Sequence, residues 1–213
     1  MKDKILVFVA HSDDETIGMG GTIIKFAREN INVTTVLVSN GEGSSPWLNK
    51  EIVINERLKE AKEIGKFLGT EETIFLGLKD GKLSEELDTP EIEKKIKEII
   101  IEFKPTKIFT HSSFDAHTDH RAVNKAITKI LVSLDPQKKI SFYAFEVWNV
   151  IEESHPRIYI DISTTFKKKI QALKKFKSQK VFTYTLLVPI VYKAIIAGIM
   201  NKCKYAERFY KLR

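Results

Sequence analysis

Cysteine is almost missing from this sequence: Cys203 is the only one in 213 residues. That excludes an intramolecular disulfide framework and any Cys-rich zinc module. A metal here has to be held by imidazole and carboxylate. An uninterrupted membrane span is also missing. Residues 181–200 approach the ~20 apolar residues that cross a bilayer, but Lys193 lies inside the run and Pro189 interrupts it. The run reads as a buried or interfacial helix. Nor does the start read as a signal peptide, because Ile5 to Ala10 is short and His11-Ser12-Asp13-Asp14-Glu15 follows at once. Internal repeats, low-complexity linkers and a clear boundary are all lacking, so residues 1–213 are expected to form one domain. With 43% hydrophobic and 30% charged residues, the chain is neither disordered nor an integral membrane bundle.

Acid is scarce in one region only. Residues 164–213 hold 13 Lys/Arg and a single acid, Glu207, whereas residues 1–163 hold 22 Lys/Arg against 27 Asp/Glu. A mildly acidic body therefore carries a strongly basic C-terminal helical segment of the same domain. Two readings of this end stand open. One is a Lys-rich solvated surface over a helix that packs on the sheet or between subunits. The other is a peripheral contact with an anionic membrane.

Short apolar runs alternate with amphipathic ones. KILVFVA (4–10), VTTVLVS (33–39), TIFLG (73–77), KIFTH (107–111), ISFYAFEVW (140–148) and RIYIDIS (157–163) read as strands. Helices are expected from the glycine-rich turn after strand 1 to Asn30, over 50–68 up to Gly69, from Pro90 to near Phe103, and over 119–133. A basic amphipathic helix is expected from Thr164 to Gln179, with Ile170, Leu173 and Phe176 inward. The alternation implies an α/β fold, Rossmann-like, with a largely parallel sheet and helices on both faces.

The chemistry gathers in two groups, each just after a predicted strand. In open α/β sheets, ligands bind outside the carboxyl ends of strands where the strand order reverses. If strands 1 and 4 are neighbours at that point, the groups meet. The first group is His11-Ser12-Asp13-Asp14-Glu15, with Gly18, Gly20 and Gly21 behind it. A dinucleotide reading fails on charge, because a pyrophosphate would face three carboxylates at the helix start. A divalent cation suits them better, and the glycines let the helix begin close to the sheet. The second group is His117-Thr118-Asp119-His120, whose histidines at i and i+3 point to similar sides of a first helical turn. Alone it reads equally as a polar loop with Asp119 as N-cap. Together the groups point to a metal site. Two histidines and one carboxylate leave a fourth position open, as catalytic zinc does. The spare carboxylate and histidine then serve as proton acceptor and donor. His111 reads as a packed or supporting residue, His155 as exposed, and Cys203 as buried and inert. Trp47 is a sugar platform or ordinary packing.

The sequence resembles the zinc-dependent N-deacetylases of the LmbE-like, or GlcNAc-phosphatidylinositol de-N-acetylase (PIG-L), superfamily. That family's Ala-His-Pro-Asp-Asp-Glu motif reads AHSDDE here, with Ser12 for proline, and its His-x-Asp-His motif reads HTDH. GGTI (20–23), Arg57 and Glu60 in RLKEAKEIGKFLG, FLGLKDG (75–81), FEVW (145–148), IDIS (160–163), Ser178-Gln179 and YAERF (205–209) extend the resemblance over almost the whole chain. It implies zinc ligation by His11, Asp14 and His120, one ion per chain, with another divalent metal as the substitute. It implies Asp13 as general base and His117 as the group that stabilises the tetrahedral intermediate or protonates the departing amine. Asp119 would orient His117, and Arg57 and Asp80 would line the sugar site. Ser12 removes a φ restraint but no ligand.

The implied reaction removes the N-acetyl group from a GlcNAc-type amino sugar or glycoside, free or lipid-linked. The implied setting is cytoplasmic, with a homo-oligomer as a family habit and no nucleic acid partner. Two other readings compete. One is a metal-free module gripping nucleic acid or membrane with its basic end. The other is a phosphoesterase, which commonly uses two bridged metals; a single coherent three-ligand set speaks against it.

Overall fold

The computed structural model describes residues 3–44, 48–148, 155–178 and 180–213. Strands β1 (Lys4–Val9) and β2 (Asn32–Ser39) flank helix α1 (Asp14–Arg28). Helix α2 (Lys50–Leu68) leads to β3 (Glu72–Leu78), the short α3 (Leu83–Glu86) and α4 (Pro90–Phe103). Then come β4 (Lys107–His111), α5 (Thr118–Leu134), β5 (Ser141–Phe145) and β6 (Arg157–Asp161). The chain closes with α6 (Phe166–Leu173), α7 (Lys180–Met200) and β7 (Ala206–Lys211).

The seven strands form one sheet in the order β3-β2-β1-β4-β5-β7-β6. From β3 to β5 all pairings are parallel, and β7 runs antiparallel to both its neighbours. The chain winds outward from β1 to β3 and then returns to β4 on the other side of β1. The strand order therefore reverses between β1 and β4, which pair from Ile5↔Lys107 to Val7↔Phe109.

Side chains from β1 into Ala10 divide strictly by parity. Ile5, Val7 and Val9 join a core beneath α1, α2 and α6, whereas Leu6, Phe8 and Ala10 join a second core beneath α3, α4 and α5. This period of two puts apolar residues on both faces, which is why the run shows no alternation in sequence. Helix ends follow local chemistry. Asn49 caps α2 through its side chain, accepting from Glu51 N–H at 2.9 Å, and Gly69 ends the helix at φ 95°.

Three elements depart from the sequence reading. Residues 206–211 form a full strand, β7, inserted between β5 and β6, where the sequence reading had only a landmark. Its charges hid it: Glu207 is buried and Arg208 pairs with Glu146 at 2.8 Å. The basic helix expected over 164–179 is only Phe166–Leu173, although Leu173 and Phe176 are buried as expected. The α3 turn after KDG was not foreseen. Among the described residues, no helix is long and apolar enough to cross a membrane. Helix α7 buries Ile190, Ala194 and Ala197.

Candidate active site

The two motifs meet because β1 and β4 are neighbours. The Ala10 N–H, just past β1, donates to His111 Nε2 at the end of β4 at 2.9 Å. This bond ties the two strand ends together and gives His111 its supporting role. The His111 ring stacks on His120 with centroids 3.9 Å apart.

The AHSDDE turn folds back on itself. Asp14 Oδ2 accepts from the His11 N–H at 2.7 Å, and the Asp14 N–H donates to His11 O at 3.3 Å. The carboxylate of Asp14 is thus fixed toward the His11 ring, with Nδ1 3.3 Å from Oδ2. His120 Nε2 lies 3.3 Å from Asp14 Oδ1 and 3.3 Å from His11 Nδ1. Asp13 stands at the N-cap of α1 in helical backbone geometry and makes no side-chain capping bond. Its carboxylate is therefore not spent on the helix and sits 3.8 Å from Arg57 Nη2. Arg57 is buried and comes from α2.

The far nitrogens of the two imidazoles are also held. His11 Nε2 is 3.1 Å from Asp80 Oδ1, and His120 Nδ1 is 3.0 Å from Asp115 Oδ1. Asp115 also accepts from the His117 N–H at 2.9 Å. Sequence reasoning missed Asp115. Its only signal was an acid five residues before His120 in an ungapped loop. Asp80, expected to line a sugar site, touches the His11 ring.

Asp119 reaches both His11 and His117. Its carboxylate accepts from Gly81 N–H at 2.7 Å and lies 3.7 Å from His11 Nε2. Its contact with His117 runs through its backbone N–H, which donates to His117 Nδ1 at 3.2 Å. His117, not Asp119, is the N-cap of α5. With Nδ1 accepting, the neutral His117 ring carries its proton on Nε2. Cys203 is half-buried, with Sγ 3.4 Å from Tyr205 O. His155 is half-buried beside Arg213 and Asn124, away from both motifs. Trp47 and Gln179 lie outside the described residues.

Donors converge here in three overlapping sets: His11 with His117 and His120, Asp14 with His111 and His120, and His11 with Asp80 and Asp119. The charges interlock. Burial opposes a charged His11, but hydrogen bonds to Asp119, Asp14 and Asp80 outweigh it and hold the ring well above its ordinary value. Burial is likewise outweighed at His120, which Asp14 and Asp115 push up to about 9. Asp14 is held well below the carboxylate range against burial by His120, His111 and His11. Burial, then the Asp14 charge, raises Asp13. Burial, with His11 and His120 nearby, lowers His117. Five aspartates around buried imidazoles make a cation-seeking crevice.

Helix α1, which presents this turn, is broken at Met19, where φ is −146° and ψ is 19°. Lys169 Nζ, from α6, donates to the freed Ile17 carbonyl at 2.7 Å. Glu207, from β7, accepts from Gly21 N–H at 2.9 Å and Thr22 N–H at 2.7 Å. Lys169 and Glu207 themselves pair at 2.6 Å, 2% and 5% exposed. A buried ion pair thus splices the helix. Gly18 is required by close approach, since a Cβ there would collide with the Phe145 ring. Glu60 accepts from the Lys177 and Ser178 backbone N–H groups, which joins the Arg57 helix to the chain after α6.

The sequence profile of the family described as GlcNAc-PI de-N-acetylase (PIG-L) matches residues 6–131, more than half of the chain. The chain belongs to the PIG-L family. The match runs from β1 into α5 and so contains both motifs.

Among curated relatives, a probable N-acetyl-alpha-D-glucosaminyl L-malate deacetylase 2 of Bacillus anthracis is 28% identical, over 82% of this chain and 80% of the relative. A diacetylchitobiose deacetylase of Thermococcus kodakarensis is 27% identical, over 96% of this chain and 81% of the relative. Among solved structures, the conserved protein TT1542 of Thermus thermophilus superposes with a TM-score of 0.84 at 22% identity, covering 100% of this chain and 96% of the other. The 4-carboxy-2-hydroxymuconate hydratase GalB of Pseudomonas putida superposes with a TM-score of 0.76 at 21% identity, covering 100% and 97%. At these identities the structural likeness speaks for the fold alone. A hydratase on this PIG-L scaffold means the reaction has to be argued from side chains.

Proposed function

We propose that this chain is a zinc-dependent N-deacetylase that hydrolyses the acetamide of a GlcNAc-type amino sugar or glycoside, releasing acetate and a free amine. One observation carries the reading. His11 Nδ1, His120 Nε2 and the Asp14 carboxylate stand 3.3 Å from one another. Tetrahedral zinc with bonds of ~2.0–2.1 Å separates its donors by about 3.3 Å. The spacing suits the ion, with His11 facing Oδ2 of Asp14 and His120 facing Oδ1, so the carboxylate would turn one oxygen toward both imidazoles to complete a set of two imidazoles and a carboxylate. The names of the two relatives, both sugar deacetylases, support the same reaction.

Bound zinc supplies Lewis acidity, polarising an amide carbonyl and lowering the pKa of a water. The chain supplies the rest. Asp80 and Asp115 lie against the far nitrogens of His11 and His120, where supporting carboxylates stand at metal sites. Asp13 accepts the proton of the attacking water; its elevated basicity brings it closer to working pH. His117, neutral with its proton on Nε2, donates a hydrogen bond to the developing oxyanion; protonating the departing nitrogen would require its imidazolium form. Asp119 secures His117 through its backbone and steadies the loop at Gly81. Arg57, beside Asp13, faces the sugar. A single Cys203 suits a reducing setting, and we place the protein in the cytoplasm.

An amine-release assay tests this across N-acetylglucosamine, N,N′-diacetylchitobiose and an N-acetylglucosaminyl hydroxy-acid glycoside, with metal counted per chain. The expected result is amine and acetate in equal amounts from at least one sugar, lost with a chelator and restored by zinc. A zinc-loaded protein that releases no amine from any of them overturns the reading. Two metals per chain with phosphoester cleavage would favour the phosphoesterase instead.

A further inference from the structure

Helix α7 is apolar on opposite faces. Ile190, Ala194 and Ala197 face inward, toward β7. Val188, Tyr192, Ile195, Ile196, Ile199 and Met200 face outward, with Val188 76% and Ile199 66% exposed. Positions 188, 192, 195 and 199 repeat with helical spacing, so they form one stripe, about 17 Å long at 1.5 Å per residue. Scattered exposed apolar residues need no explanation, but a continuous stripe marks a contact surface. Beside it Trp148, 43% exposed, lines a cleft of about 260 Å³ together with Tyr192, Ile196 and Met200.

Charge decides what covers the stripe. After Thr164 the chain has 13 cations and one acid. That acid, Glu207, is buried and bound to Lys169. No carboxylate of this region is thus left to moderate the outer surface. Lys202 and Lys204 are exposed just beyond the stripe, whereas Lys175, exposed before α7, reaches over Phe67 of α2. A twofold contact between copies would set this patch against itself, like charge facing like. Nucleic acid would match the lysines but has no apolar surface to receive Ile195 and Ile199. The interface of an anionic bilayer offers both partners at once.

We infer that the outer face of α7, flanked by Lys202 and Lys204, is a docking surface for an anionic lipid bilayer, on which the protein sits peripherally. The placement suits the site. Helix α7 feeds β7, whose Phe209 pairs with Phe145 at the carboxyl end of β5. Lys193 Nζ, in mid-helix, reaches Val147 O at 3.4 Å. The stripe therefore lies at the edge of the sheet's carboxyl end, where the two motifs also stand.

Co-sedimentation of the full chain with vesicles tests the inference. Vesicles of phosphatidylcholine mixed with phosphatidylglycerol should pellet at least ~10-fold more protein than phosphatidylcholine alone, and rising salt should release it. Ile195→Glu with Ile199→Glu should abolish pelleting, and Lys202→Glu with Lys204→Glu should weaken it by about 10-fold or more. Both double variants alter exposed residues outside the catalytic crevice, so their melting temperature and turnover of a soluble acetylated sugar should match the parent. A protein that stays in solution with anionic vesicles at low salt overturns the inference. So does a dimer that Ile195→Glu with Ile199→Glu dissociates without any vesicle binding, which would make the stripe a contact between copies. Pelleting that survives the isoleucine changes would also overturn it. Pelleting is read without catalysis, so its failure leaves the deacetylase reading standing, and an inactive protein still reports on docking.

Discussion

The two parts of this chain put their charge in opposite places. In residues 1–163 one set of acids goes inward: Asp13, Asp14, Asp80, Asp115 and Asp119 crowd around His11, His117 and His120, while many glutamates, among them Glu51, Glu63 and Glu98, stay exposed. In residues 164–213 the cations go outward, and the one acid, Glu207, is buried with Lys169 against α1. Burial makes the first set costly and therefore chemical, since each carboxylate has to find a cation, an N–H group or a proton. Exposure makes most of the second set cheap and interchangeable. The exception is Lys169–Glu207. A helix broken at Met19 leaves a carbonyl and two N–H groups without helical partners, and such orphans are costly when buried. The basic end thus supports the acidic site mechanically, through one ion pair.

The sharpest way to break the comparison is to remove a buried ligand. His11→Ala, Asp14→Ala and His120→Ala should each lose most of the bound zinc and essentially all turnover, read as metal per chain and amine release. Stoichiometric zinc in all three would disprove the ligand assignment. Asp13→Ala should keep zinc and fold but lose about 10²–10⁴ in turnover. His117→Ala should fall similarly. Near-parental rates in both would mean the proton transfers lie elsewhere.

The buried pair comes next. Glu207→Gln should cost about 3–5 kcal/mol in urea unfolding, because Lys169 is left charged and buried. Lys169→Met with Glu207→Gln should cost less than the two single changes summed. A loss below ~1 kcal/mol, the size of a surface pair, would collapse the distinction drawn here. Metal uptake should also follow pH. In the metal-free crevice His120 titrates at about 9 and His11 well above its ordinary value, so both carry protons at neutral pH. Zinc has to displace those protons, so its apparent affinity should rise with pH, by up to ~100-fold per unit between about pH 6 and 8. A flat profile in a competition titration would argue against both raised values. The smallest effect is steric: Gly18→Ala should destabilise by about 1–3 kcal/mol as the new Cβ meets Phe145.

Legibility followed the range of the interaction. Six of the seven strands showed as short apolar runs, because both faces of the sheet are covered and the run itself is the signal. β7 did not, because Glu207 and Arg208 read as surface until Lys169 and Glu146 are brought to them. The two motifs that hold His11, Asp14 and His120 were visible as local spacing. Asp115 was not, because its bonds to His120 and His117 depend on how the loop after β4 curls back. Asp119 was visible but its role was not, since only the turn at Gly81 shows where its carboxylate points.

By itself, then, the sequence determined the alternation of strand and helix, the two motif turns and the charge split, all of which act within a few residues along the chain. The tertiary structure decided that β1 lies beside β4, that Asp80 and Asp115 back the two imidazoles, and that a lysine and a glutamate from the basic end splice α1. These are contacts between distant segments. An apolar strand will pair with any neighbour its faces allow, so only the packed sheet selects one.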